Sequence, residues 1–98
     1  MRMTPATLRV LEALLEEPGG EHWGYRLQRC AGLRSGSLYP ILGRLEQSGW
    51  ITGNWEQVAE HEGRPPRRYY RLTGLGEREA RAALLRGCSL RSLPGEAS

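Results

Sequence analysis

The chain has 98 residues, 39% hydrophobic and 26% charged, a length and composition from which we expect one compact globular domain and no second. No stretch approaches the roughly 18 consecutive apolar residues of a membrane-spanning helix, and the N-terminus lacks a signal-peptide core, so we expect a cytoplasmic protein. All 14 basic residues are Arg and the net charge is +3, a balance that is compatible with a nucleic-acid partner without establishing one.

The N-terminal third predicts two helices. Thr4 followed by Pro5 is a favourable helix start, because Thr caps the first turn and Pro is preferred at the first helical position. Leucines then recur at helical spacing until the Glu-Glu-Pro-Gly-Gly segment at 16–20 ends the helix. A second, shorter helix is expected over residues 23–31, with Gly32 as its C-cap.

The third helix has the clearest pattern. Its apolar residues fall at i, i+3, i+4 and i+7 and form one continuous core face, made of Leu38, Ile41, Leu42 and Leu45. Ser35 or Ser37 is expected to cap its start. Pro40 limits how early the helix can begin, because it has no N–H to donate. The Ser48-Gly49 pair closes it.

Two β-type segments, a loop and a last helix complete the chain. Residues 51–58 and 67–72 predict the strands of a hairpin, joined by a polar loop. Thr73 is expected to cap the last helix. The predicted fold is mainly α (α+β): a winged helix-turn-helix with three helices, a two-stranded β wing and a C-terminal helix. We assign residues 1–88 to this single domain and 89–98 to a flexible tail.

The turn between the second and third helices indicates how the chain would meet DNA. In a helix-turn-helix the second helix lies outside and fits the major groove, which is about 12 Å wide. Such a helix needs small or polar residues near its N-terminal end, and this one has Arg34, Ser35, Ser37 and Tyr39, followed by Arg44. The alternative for each residue is structural: the serines only cap the helix, and Tyr39 only packs.

Arginines concentrate in the hairpin. Between Gly63 and Leu72 the sequence contains no acidic residue and four basic ones, Arg64, Arg67, Arg68 and Arg71. This density favours contact with a phosphate backbone over the protection of a strand edge by charge. Arg68 can alternatively share the inner side of the strand with Tyr70.

Several short motifs occur in a consistent order between residues 24 and 76: Gly-Tyr at 24–25, Gly-Ser-Leu-Tyr-Pro-Ile-Leu at 36–42, Gly-Trp-Ile at 49–51, Gly-Arg at 63–64 and Arg-Tyr-Tyr-Arg-Leu-Thr at 68–73. Together they resemble the PadR family of transcriptional regulators. The resemblance implies a homodimeric winged-helix repressor, often autoregulated, that leaves DNA when an effector binds. It also implies that Tyr25, Ser37 and Tyr39 touch backbone or bases and that Arg64 belongs to the wing tip.

Dimerisation is expected through the last helix. Its candidate contact residues are small or apolar: Leu75, Ala80, Ala83, Leu84 and Cys88. Gly74, Gly76 and Gly87 each weaken a helix by about 1 kcal/mol when they are interior, which leaves the strength of the dimer open. The helix has no aromatic residue of the kind with which some relatives hold flat drugs, so a small-molecule effector is not predicted.

Catalysis and metal binding are not expected. The soft metal ligands, His22, Cys30, His61 and Cys88, lack the paired spacing of a zinc site. No nucleophile elbow or phosphate-binding glycine loop is present, and the sequence has no Asp. We therefore expect no enzyme activity, no metal and no cofactor, and two reduced, half-buried cysteines.

The sequence predicts a sequence-specific transcriptional regulator, a homodimeric repressor that binds double-stranded operator DNA and no membrane. The rival interpretation is a winged helix that contacts another protein and no DNA. Exposed tryptophans would serve that role, and the candidates are Trp23, Trp50 and Trp55. For Trp50 and Trp55 core packing is the simpler expectation.

Overall fold

The structure, a computed structural model, describes residues 3–57 and 63–97, with side chains as far as residue 86. The described chain forms four helices, α1 (Pro5–Leu15), α2 (Gly24–Ala31), α3 (Ser35–Gln47) and α4 (Gly74–Ala97). Three short strands, β1 (His22–Trp23), β2 (Ile51–Trp55) and β3 (Arg68–Leu72), pair antiparallel in the order β1-β3-β2. This mixed α+β arrangement confirms the winged helix-turn-helix prediction. No helix in the described ranges is long and apolar enough to cross a membrane.

The core forms where the apolar faces of the helices meet. Leucines of α1, α2 and α3 are the most completely buried side chains, with Leu11, Leu14, Leu27, Leu38 and Leu45 all exposed by 1% or less. Each such burial stabilises the fold by about 1.5–3 kcal/mol. The start of α1 is as predicted, since the Thr4 hydroxyl accepts the N–H of Thr7 at 3.1 Å and Pro5 occupies the first turn.

The start of α3 differs from the prediction. The helix begins at Ser35 after Arg34, whose carbonyl accepts the N–H of Ser37 and of Leu38, and no side chain caps it. The expectation that Ser35 or Ser37 caps the helix is therefore wrong. Pro40 lies inside the helix, where it leaves the carbonyl of the exposed Gly36 without its usual donor, so that water can hydrate it.

The sheet has one strand more than the sequence indicated. His22 and Trp23 of β1 pair with Tyr70 and Tyr69 of β3, so Trp23 lies in a strand and α2 starts one residue later than expected. A strand of two residues is too short to be recognised from the alternation of apolar and polar residues in the sequence. The hairpin strands, Ile51–Trp55 and Arg68–Leu72, are shorter than the predicted strands over 51–58 and 67–72. Residues 58–62 lie outside the described part of the chain.

The sheet has an inner and an outer face. Along β3, Arg68, Tyr70 and Leu72 share one side, and Tyr70 is only 3% exposed within the core. Tyr69 faces the other way, where its ring meets the edge of Trp23 at a centroid distance of 5.3 Å. The alternative that placed Arg68 on the inner side with Tyr70 is confirmed.

The junction between the sheet and α4 depends on a glycine. Thr73 caps α4 as predicted, because its hydroxyl accepts the N–H of Gly76 at 2.9 Å and donates to the carbonyl of Gly49 at 2.7 Å. Gly76 is buried, and a Cβ there would overlap the carbonyl group of Trp50. The helical backbone continues to Ala97, past the expected end near residue 88. The side chains after residue 86 lie outside the description, and the flexible tail stays a prediction.

Gly76→Ala is predicted to lower the free energy of unfolding by about 2 kcal/mol, because either α4 or the backbone at Trp50, just before β2, must move to admit the new methyl group. Gly74→Ala is the matched control, since a Cβ at Gly74 meets nothing within 4 Å. That change should leave stability unchanged or raise it by up to about 1 kcal/mol. Urea unfolding followed by circular dichroism compares the two, and equal effects would contradict the assigned contact.

Candidate nucleic-acid interface

The outward face of α3 is small and polar. Because the leucine face of the helix is buried, the residues on its other side are all exposed: Ser35, Gly36, Ser37, Tyr39, Pro40, Gly43, Arg44 and Gln47. None of them is acidic. The one carboxylate of the helix, Glu46, is turned aside and accepts a hydrogen bond from Arg68 at 3.0 Å. The helix therefore offers a convex surface that lacks both bulky aliphatic groups and negative charge.

A tyrosine joins α3 to the start of α2. The hydroxyl of Tyr39 lies against the buried Gly24, where any Cβ would collide with it. Tyr39 is nevertheless 44% exposed, so it packs and remains accessible. The next residue of α2, Tyr25, is 51% exposed. Gly24 thus leaves room for the Tyr39 hydroxyl, and both tyrosines lie at the edge of the α3 surface.

The wing reaches the same edge. The guanidinium carbon of Arg67 lies 5.7 Å from the centroid of the Tyr25 ring, within the range of a cation–π contact. Arg67 is exposed, and among the described residues no carboxylate forms an ion pair with its side chain. We refer to the exposed residues of α3 together with Tyr25 and Arg67 as the α3 face.

The other wing arginines have carboxylate partners. Arg64 binds Glu56 through two hydrogen bonds of 2.6 and 3.1 Å. Arg68 binds Glu46 at 3.0 Å, and Arg71 binds Glu21 at 3.2 Å. The local sequence contains no acid, but the fold supplies one from elsewhere to each of these three arginines. A count of arginines therefore overstates the positive charge that the wing offers to a partner, because these three are paired within the chain. Contact of the wing with DNA stays a prediction.

Glu56 closes the base of the wing loop. Besides its two bonds to Arg64, it accepts the backbone N–H of Arg67 at 3.2 Å, so it joins both sides of the Pro65-Pro66 segment. The hydrogen bonds from Arg64 are the largest influence on the Glu56 carboxyl and hold its pKa below the ordinary value, against a smaller opposing effect of desolvation. The contact therefore favours the ionised carboxylate at neutral pH and weakens when acid protonates Glu56.

The α2 surface carries two arginines that the sequence reasoning missed. Arg26 and Arg29 are exposed and, with Tyr25 and Cys30, line a shallow depression beside the α3 face. Their spacing of three residues on a helix was the signal that could have found them. Cys30 is exposed, which contradicts the expectation of a half-buried thiol. Its side chain lies outside the core because the buried positions of α2 are Gly24, Leu27 and Ala31.

The family model described as "Transcriptional regulator PadR-like family" matches residues 10–82 of the chain. The chain belongs to the PadR-like family. This confirms the resemblance seen in the motifs between residues 24 and 76, and a PadR-like protein is a transcriptional regulator. No curated protein sequence matches the chain.

Solved structures share the PadR-like fold. A PadR family transcriptional regulator from Eggerthella lenta is 28% identical, with a TM-score of 0.71 over 90% of this chain and 79% of that one. The circadian clock associated protein Pex from anabaena is 27% identical, with a TM-score of 0.63 over 90% of this chain and 81% of that one. A PadR family regulator from Clostridium difficile has a TM-score of 0.75 over 95% and 97% of the two chains, and at 16% identity it supports the fold alone.

In this PadR-like chain the predicted dimer residues lie in different environments. Ala80 and Ala83 are 0% and 3% exposed, because their small side chains let α4 pack on the chain's own core. They are not accessible to a second chain, which corrects their assignment. Leu75 is 40% exposed and Leu84 is partly buried. Leu85, which was not predicted, is 70% exposed. The side chain of Cys88 lies outside the described residues.

The soft metal ligands that the structure describes, His22 and Cys30, lie in different environments. Within the described residues no three His, Cys or Glu side chains form a group that could hold a metal. His22 is 1% exposed and its Nε2 hydrogen-bonds to the carbonyl of Glu17 at 2.9 Å, a structural contact that anchors the loop before β1. His61 lies outside the described residues.

The tryptophans of this PadR-like chain divide between core and surface. Trp50 is partly buried against the core, as expected, whereas Trp55 is 61% exposed, so its predicted core position is wrong. The Trp55 ring lies beside the Arg68 guanidinium, whose carbon is 5.1 Å from the ring centroid.

Proposed function

We propose that the chain is a sequence-specific repressor that binds double-stranded DNA as a homodimer and places α3 in the major groove. The observation that carries the proposal is the α3 face, an exposed surface that has no acidic side chain and includes Arg67 at its edge. The phosphates on both sides of the DNA major groove give it a negative potential, which favours such a surface and repels one that carries carboxylates.

Base reading is assigned to the middle of α3. Ser37 and Arg44 are both exposed on the outward side, and the guanidinium of Arg44 matches the two acceptors of a guanine edge. Nearer the N-terminus, Arg34 and Ser35 lie where the first backbone amides of the helix have no capping side chain, a geometry that suits a phosphate. The hydroxyl groups of Tyr25 and Tyr39 would donate hydrogen bonds to the DNA phosphate backbone.

Phosphate contact by the wing is assigned first to Arg67. Its guanidinium contacts a neutral ring, and no carboxylate in the described ranges forms an ion pair with it, so meeting a phosphate breaks none of the described ion pairs. Arg64 holds Glu56 with two hydrogen bonds and would have to exchange that carboxylate for a phosphate. Arg67 should therefore contribute more to the salt-dependent affinity than Arg64 does.

The dimer is assigned to an apolar surface formed by leucines of α1 and α4, of which Leu85 is the most exposed. Leu15, Leu84 and Leu85 line an apolar depression between these helices, bordered by Arg81. A 70% exposed leucine beside further apolar surface is typical of a protein interface. A second copy that covers this surface would carry its own α3, and the two helices would read half-sites about one turn of DNA apart.

The test is binding to a labelled duplex from upstream of the protein's own gene, compared with a scrambled duplex over a series of salt concentrations. We expect saturable, sequence-preferring binding that weakens steeply with salt. Folded, dimeric protein that prefers neither duplex at any salt would overturn the proposal and favour the rival use of the fold, in which the exposed Trp55 contacts a protein partner.

Arg67→Ala and Arg44→Ala are predicted to weaken binding in different ways. Loss of Arg67 removes a phosphate contact, so the affinity for both duplexes should fall and the salt slope should decrease by about one contact. Loss of Arg44 removes a base contact, so the preference for the specific duplex should fall by about 1–3 kcal/mol. Fluorescence anisotropy at several salt concentrations measures both quantities.

Arg9→Ala is the matched control, because Arg9 is an exposed arginine of α1 away from the α3 face and its loss changes the net charge equally. It should leave the salt slope and the sequence preference unchanged. If Arg9→Ala and Arg67→Ala weaken binding equally, Arg67 is no specific phosphate contact. If Arg44→Ala weakens both duplexes equally, its assignment to base reading is wrong.

Leu85→Glu is predicted to weaken the dimer by about tenfold or more, because it places a charge in the proposed apolar interface. Sedimentation over a range of protein concentrations measures this effect. Gln57→Glu adds the same charge at an exposed position at the base of the wing and should leave association unchanged. Unaltered dimerisation of the Leu85 variant would exclude this surface as the interface.

A further inference from the structure

Arg68 occupies a site between the wing and the end of α3. Its Nη2 donates to Oε2 of Glu46 at 3.0 Å, and its guanidinium carbon lies 5.1 Å from the ring centroid of Trp55 and 5.8 Å from that of Tyr70. Gly53 of β2 leaves room for this guanidinium, since a Cβ there would lie 2.8 Å from its carbon. One side chain of β3 therefore contacts β2, its own strand and the last turns of α3.

This environment differs from that of a phosphate-binding arginine. Arg68 points to the inner side of the sheet with Tyr70, and both it and Glu46 keep only 31% of their side-chain surface exposed. A flat guanidinium can lie against aromatic rings and bind a carboxylate at the same time, which a lysine ammonium cannot do as well. The contacts that Arg68 makes within the chain thus use the groups that would otherwise bind DNA.

We infer that Arg68 is a positioning residue: it holds the wing at a set orientation to α3 by binding Glu46, and it does not contact DNA itself. This inference rests on the proposed function. Because Arg67 directly precedes Arg68, the position of the phosphate-binding side chain relative to α3 depends on this ion pair. The same pair keeps the carboxylate of Glu46 away from the α3 face.

Replacement of Glu46 separates positioning from simple electrostatics, because the two predict opposite signs. Glu46→Gln removes a negative charge near the DNA, so electrostatics alone predicts tighter binding. If Glu46 acts by holding Arg68, the same change loosens the wing and weakens binding. Likewise, Arg68→Ala reduces the salt slope only if Arg68 itself neutralises a phosphate.

The experiment measures affinity, sequence preference and salt slope for the full chain on its specific duplex. The variants are Arg68→Ala, Arg68→Lys, Glu46→Gln and the Arg68→Ala/Glu46→Gln double variant. We expect each single variant to bind the specific duplex about three- to tenfold more weakly, with the salt slope unchanged. The double variant should lose no more affinity than the single variant that binds more weakly, because both substitutions break the same contact.

Two controls accompany these variants. Glu12→Gln makes the same charge change at an exposed position of α1 and should not weaken binding. Urea unfolding shows whether each variant is folded, and if Arg68→Ala is not, Glu46→Gln and the charge-conserving Arg68→Lys carry the test. Hydrogen exchange of the free variants should show faster exchange in β2 and β3 with no change in α1.

Three results overturn the inference. Tighter binding by Glu46→Gln together with a smaller salt slope for Arg68→Ala would make Arg68 a phosphate contact. Wild-type affinity in all variants, or unchanged exchange in β2 and β3, would remove any positioning role. If the wild-type protein binds no duplex, the proposed function is overturned, and this inference with it. The two failures can be told apart, because this one appears in the wild-type protein and the others appear only in the variants.

Discussion

The burial of one face of α3 determines which side chains this protein can present to a partner. Leu38, Ile41, Leu42 and Leu45 all lie in the core, exposed by 4% or less. A helix that loses one side to the core can offer only the opposite side, and here that side consists of small and polar residues with one arginine. The packing of three other elements, α1, α2 and β2, keeps this helix in place.

Ion pairs within the chain reduce the positive charge that the wing offers to a partner. A count of arginines in the wing overstates the positive charge available to a partner, because Glu56, Glu46 and Glu21 each bind one of them. Pairs of this kind at partly exposed positions contribute little to stability, typically up to about 1 kcal/mol. Their larger effect is geometric, since Glu46 and Glu21 connect the wing to α3 and to the segment before β1, whereas Glu56 joins the two sides of the wing itself. Arg67 is the wing arginine that belongs to the α3 face.

The helical part of this fold could be predicted because its signals are local. The leucine spacing of α3, the Thr4-Pro5 start of α1 and the Thr73 cap of α4 all depend on residues a few positions apart. The strand β1 could not be predicted, because its two residues become a strand only by pairing with Tyr69 and Tyr70, far away in the sequence.

Long-range contacts also explain what was missed at the candidate site. The carboxylate partners of the wing arginines come from residues 21, 46 and 56, and no local pattern connects them to the wing. The same holds for Gly76, whose sequence context suggests a weak helix, whereas its function is to admit the carbonyl of Trp50. Ala80 and Ala83 were predicted as interface residues because small side chains permit two helices to approach closely. In the structure they permit α4 to approach the chain's own core.

The central claim is that α3 reads DNA, and amide chemical shifts measured by NMR during titration with the specific duplex test it most directly. The account predicts that the largest shifts fall on residues 34–44, with further shifts at Tyr25 and Arg67, while the exposed residues of α4 around Leu85 change little. Shifts confined to α4, or an α3 whose amides do not respond to a duplex that the protein binds, would contradict it.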